Sequence, residues 1–260
     1  MNNLLRLEKR VRFILATAVL SVALLLSTFF FFDKAWLFLP LLIILAYGAV
    51  YFSIIEGIEK IEWITLFIMP VLLTVSLYLF YFLFPVRWLT RIPFIIFYAV
   101  SFYATLLVSN IFNVGVEKSL QLYRAAFSVN YFYQTIIIFL GANIILSLKL
   151  SFFEHFIIFF IFISAMAIHL FWSIKLDWHF DKQVIQLGLL VGLIIAQIAT
   201  VASFIPLQTS VFALLITASY YGMGGLSYLH LDQRLFKETI REYVFVIIFV
   251  AAIVIFTISW

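Results

Sequence analysis

Six polar side chains crowd into one otherwise oily stretch of the chain: Asn110, Asn113, Glu117, Arg124, Asn130 and Gln134. The first three are spaced three and four apart, so on a helix they share one face. Asn130 and Gln134, four apart, share another, and Arg124 lies in the connection between the two stripes. A carboxamide turned toward hydrocarbon leaves donors and acceptors unsatisfied, so it seeks a partner within the protein. Two arrangements meet that need. In the first, the stripes face each other as a hydrogen-bonded helical hairpin, with Glu117 paired to Arg124 and with Lys118 and Tyr123 at the headgroups. In the second, they line a cavity open to the cytoplasm that binds a polar substrate or a lipid headgroup, for which Arg124 supplies positive charge. The packing joint is the expected arrangement.

Other constellations carry less chemistry. Asp177, His179 and Asp181 alternate along "DWHFD". An extended loop could bring them to one metal ion, but three hard ligands without further support read better as a solvated turn. His155 and His169 are fourteen residues apart in one apolar run, about four helical turns, and so share a face. Haem would need facing histidines at one depth on two helices. The expectation is one satisfied His near the interface and one His bonded across a helix contact. "FFEHFII" lacks the second histidine of a zinc-protease helix. G-x-S-x-G, phosphate-cradling glycine loops and mid-span carboxylates are absent from the sequence. Neither a catalytic residue nor a bound cofactor or metal is expected.

Small residues supply a packing signal. Gly188, Gly192, Ala196 and Thr200 recur every four residues, a stripe that lets another helix approach closely, with Gln197 beside it as a cross-helix donor. Gly222, Gly224 and Gly225 in "YYGMGG" mark either a close crossing or a break. The crossing is the expected alternative.

The elements that must position these residues follow from composition. Of 260 residues, 66% are hydrophobic and 11% charged, far from the roughly 45–50% and about 25% of a water-soluble domain. Charges fall between apolar runs of about 18–25 residues, the length of a membrane-spanning helix, and strand alternation is missing. The fold class expected is an all-α polytopic bundle of about nine spans, forming a single integral membrane domain without a soluble one. The spans run Val11–Phe32, Ala35–Ile55, Trp63–Phe84, Ile92–Val114, Val129–Leu148, Phe152–Ile174, Gln183–Phe204, Ser210–Leu229 and Tyr243–Trp260, the fifth entered through an amphipathic lead-in from Lys118. The first reads as a retained helix rather than a cleaved signal.

With the N-terminus in the cytoplasm, twelve of the sixteen Lys and Arg fall inside and four (Lys34, Arg87, Arg91, Lys149) outside, as topology rules require. Trp260 then ends outside, at an interface. Topology also accounts for the +4 charge, so no nucleic-acid partner is inferred. The chain has no cysteine, which excludes disulfides and thiolate metal sites.

The run "NIFNVGVEKSLQLYRAAFSVNY", about a tenth of the chain, resembles a segment of uncharacterised polytopic membrane proteins of small-genome candidate-phylum bacteria. The resemblance implies a multi-pass protein of a bacterial inner membrane and no particular activity. Together these readings point to a non-enzymatic membrane scaffold or complex subunit, with lipids, other membrane subunits or a second copy as partners. The alternative is a small permease, channel or lipid-handling protein that uses the polar cluster.

Overall fold

The computed structural model describes residues 8–30, 35–55, 58, 60–83, 88–114, 120–177 and 179–258. Among these residues there are nine α-helices and no strand: α1 (Lys9–Phe30), α2 (Ala35–Ile54), α3 (Glu62–Tyr81), α4 (Trp88–Val114), α5 (Leu120–Ser147), α6 (Phe152–Trp172), α7 (Lys182–Ala202), α8 (Thr209–Leu231) and α9 (Lys237–Thr257). Each is long and apolar enough to cross a bilayer. Helices are the required form there, because each satisfies its backbone groups within the segment. Some polar side chains are buried within the helix packing while large apolar ones are exposed. Asn130, Gln134, Ser109 and Thr74 are buried, while Ile248 is 62% exposed and Phe256 87% exposed.

Two boundaries differ most from those expected. The lead-in and the fifth span are one uninterrupted helix, α5, because no residue between Leu120 and Val129 breaks it. Helix α9 starts six residues before Tyr243. Its first turns carry Lys237, Glu238, Arg241 and Glu242, polar residues that form helix well outside hydrocarbon.

The chain divides into two compact units, residues 1–133 and 134–260. Unit 1 contains α1 to α4 and the first half of α5. One of its three helix-internal prolines shows how buried backbone is satisfied. Pro70 lies within α3 and has no N–H to give the carbonyl of Leu66, one turn back. Ser109 of α4 donates to that same carbonyl at 2.9 Å. Thr74 donates to Pro70 O at 2.8 Å and shares a 3.0 Å hydrogen bond with the Tyr98 hydroxyl of α4. Two helices are thus stitched together where a proline would leave backbone open.

Unit 2 contains the second half of α5 and α6 to α9. The α7 stripe performs the close packing expected of it. A methyl group at Gly188 would overlap the Ile168 side chain and stand 3.1 Å from its backbone nitrogen, and one at Gly192 would overlap the Ser164 side chain and stand 3.0 Å from its Cα. Only hydrogen at both positions allows α6 and α7 to meet. Gln197, expected to bond across this contact, is instead exposed. Helix α8 runs unbroken through its glycines. Gly222 receives Ile247, and Gly225 receives the Tyr243 ring at 2.6 Å from where a Cβ would stand. These glycines are therefore a crossing for α9 and not a hinge. Lower down, Ala218 packs with Val250 and Val254.

Candidate functional site

Five of the six candidate residues lie among the described residues. Glu117, with Lys118, lies outside the described residues, as does Trp260. Arg124 is exposed on the first half of α5. Asn113 reaches the end of α2. Its Nδ2 donates to the carbonyl of Ile54 at 3.3 Å, and the Arg12 guanidinium donates to Phe52 O at 3.4 Å. Both carbonyls belong to the last turn of α2, where no intrahelical donor remains. An amide from α4 and a cation from α1 therefore cap α2, and positive charge at a helix C-terminus is also favoured by the helix dipole. Arg12, expected only as a topogenic charge, is 1% exposed. Asn110 and Asn130 each leave a buried amide atom without a hydrogen-bond partner, Oδ1 and Nδ2 respectively.

Gln134 belongs to unit 2, and its partners are His169 of α6 and Tyr220 of α8. The Tyr220 hydroxyl donates to Oε1 at 2.6 Å, and Nε2 lies 2.8 Å from His169 Nδ1. Both Gln134 and Tyr220 are wholly buried, and His169 nearly so. The direction of these bonds is forced. A buried phenol has one proton to give, Oε1 can only accept, and the amide nitrogen can only donate. His169 Nδ1 is consequently the acceptor, so the ring carries its proton on Nε2. Three helices are joined by a chain of hydrogen bonds with a single sense. The histidine bonded across a helix contact is His169, as expected. Its tyrosine partner was missed, because Tyr220, between Ser219 and Tyr221 and just before the glycines, has nothing in the sequence to mark it as that partner.

His155 departs from expectation. It is not a satisfied interfacial side chain. It is 6% exposed, its edge rests against the Phe159 ring at 5.5 Å, and its Nε2 has no hydrogen-bond partner. It lines a cavity of about 390 Å³ at the end of unit 2 formed by the α5–α6 and α7–α8 turns, together with Leu146, Phe152, Ser203, Leu207, Thr209 and others. The "DWHFD" turn holds no assembled metal site among the described residues. Asp181 caps α7 by accepting from Gln183 N–H at 3.2 Å and pairs with Lys175 at 3.1 Å. The Lys175 ammonium, and then the Gln183 N–H, hold its carboxyl below the usual range. Asp177 and His179 are exposed.

Comparison with protein-family models, curated proteins and solved structures gives no match. The nine apolar helices make this chain a multi-pass membrane protein by length and composition.

Proposed function

We propose that the protein is a non-enzymatic membrane subunit whose buried polar groups hold helices and whose apolar faces pack against other membrane components. The observation that carries this reading is the saturation of Gln134. Both ends of its amide are spent on His169 and Tyr220, the two intramolecular partners a helix-packing role calls for. Asn113, the other amide central to a substrate path, gives its Nδ2 to the end of α2. The outward-facing element is α9. It buries only Val250 and Val254, and Phe245, Ile248, Phe249 and Phe256 are all more than half exposed. The distribution of Lys and Arg supports a cytoplasmic N-terminus, and the resemblance in Asn110–Tyr131 supports a bacterial inner membrane.

Two measurements test the reading. Gln134→Leu should lower the amount and thermal stability of folded protein. Extraction from native membranes into polymer-bounded discs should yield one complex of defined mass, with itself or another membrane protein. The cysteine-free sequence allows single cysteines on α9. A bimane probe at Ile248→Cys or Phe256→Cys should escape quenching by brominated lipid on the partnered face. Quenching at every exposed α9 position, together with a monomeric disc, would replace the scaffold with a protein that meets only lipid on this face.

A further inference from the structure

The cavity beside His155 stands apart from the helix-holding hydrogen bonds, and three features define what it would take. The first is an unmet group. His155 is more than nine-tenths buried, lines the cavity, and has no partner for Nε2. A buried polar atom without a partner costs free energy, so a partner brought by a ligand is favoured.

The second feature is a contrast between two helix starts at this end of the unit. Helix α6 carries its own cap: Glu154 accepts from the Ser151 N–H at 2.9 Å and from the Ser151 hydroxyl at 2.8 Å. That carboxylate is exposed and already engaged there. Helix α8 has no side-chain cap at Gln208 and no acid in its first turn. The hydroxyl-bearing Thr209 at its start lines the cavity. A helix start with open N–H groups and a positive dipole end attracts an anion.

The third feature is the wall. The accessible lining of the cavity is more polar than apolar, and its rim runs outward through Phe152 and Phe204, 61% and 74% exposed. A free anion has no use for such a rim, whereas an alkyl chain leaving the cavity toward hydrocarbon would cover it. The volume falls within the roughly 300–1,000 Å³ of small-molecule sites.

We infer that this cavity binds a single-chain amphiphile through an oxyanion headgroup, phosphate or carboxylate, with His155 Nε2–H and the start of α8 as donors and the chain lying over Phe152 and Phe204. The inference rests on different residues from the scaffold reading and stands or falls separately from it.

The test uses the full chain in detergent micelles, labelled with ¹⁵N-histidine. The sequence has four histidines, so the His155 line is assigned by its loss in His155→Phe. Lysophosphatidic acid and palmitate should each move that line and raise the melting temperature. Monoacylglycerol of the same chain length, and inorganic phosphate alone, should do neither. His155→Phe should weaken lysophosphatidic acid binding about ten- to a hundredfold, the value of a hydrogen bond to a charged group. Thr209→Trp, a substitution at an exposed position that plugs the mouth, should abolish binding and leave the His155 line in place but unresponsive to the lipid. An equal response to monoacylglycerol, a response to phosphate alone, binding that survives both substitutions, or no response to either acid overturns the inference.

Discussion

Replacing Tyr220 by phenylalanine removes one oxygen from the interior and leaves the ring in place. In the structure that oxygen is the donor to Gln134 Oε1 at 2.6 Å, and both residues are fully buried. Two terms set the cost. The lost bond contributes about 0.5–1.5 kcal/mol net, and the acceptor left bare adds desolvation of about 1–3 kcal/mol in water-soluble proteins. Within membranes the same chemistry is weaker, with couplings near 0.6 and at most about 1.7 kcal/mol, because the unfolded reference also finds partners. Tyr220→Phe should therefore cost about 1–2 kcal/mol. Gln134→Leu should cost more, about 2–3 kcal/mol, since it strands both the phenol and His169 Nδ1. The double variant should be no less stable than Gln134→Leu alone, because phenylalanine then removes a stranded donor. The cycle should thus return a coupling of about 1–2 kcal/mol, about five- to thirtyfold in the folding equilibrium. Reversible unfolding in mixed micelles, or steric trapping in bilayers, measures it. Costs that simply add, within about 0.3 kcal/mol, would show that the bond does no work and would remove the main support for a helix-holding role.

Further outcomes follow from other contacts. Gly192→Ala should destabilise by about 1–3 kcal/mol through overlap with Ser164, while Gly48→Ala, with nothing within 4 Å of the new methyl, should be neutral or slightly stabilising; parallel unfolding curves compare the two. Ser109→Ala should cost about 1 kcal/mol by uncovering Leu66 O, and the loss should shrink in a Pro70→Ala background, where α3 regains its own donor. Asn113→Leu should lower folded protein by freeing the end of α2, which expression in membranes and thermal unfolding both report. Asp181 has a lowered carboxyl pKa, so its contribution is present above the ordinary carboxylate range and fades as pH falls through that lowered value. Asp181→Asn, which keeps the cap but not the charge, should flatten that part of the acid limb in a pH series of melting temperatures.

Much of the architecture is written in local pattern, and the site is not. The carboxamides at 110, 113, 130 and 134 announce themselves as groups that need partners, because an amide left unsatisfied in hydrocarbon costs free energy. Their spacing on the chain does not say which partner each will meet. Asn113 finds the end of α2, some sixty residues earlier, and Gln134 finds Tyr220, eighty-six residues later. Nothing near Tyr220 distinguishes it from other tyrosines of the chain. Likewise Ser109 reads as an ordinary small residue until it is seen opposite Pro70. His155 and His169 look alike in sequence, yet one is bonded and the other is not.

Composition and the spacing of apolar runs by themselves determined the nine helices of membrane-spanning length among the described residues, since hydrocarbon leaves an isolated backbone no other way to satisfy its own groups. The glycine stripe of α7 likewise announced a close helix contact before any partner was known. Only the tertiary structure decided that Ile168 and Ser164 fill that contact, that Gln134 is shared between a histidine and a tyrosine, and that His155 is left facing a cavity. The physical reason is one of range. Span formation depends on each segment's exchange with its solvent, which is a local property. Hydrogen-bond partners depend on which faces of distant helices meet, and that is settled by the packing of the whole unit.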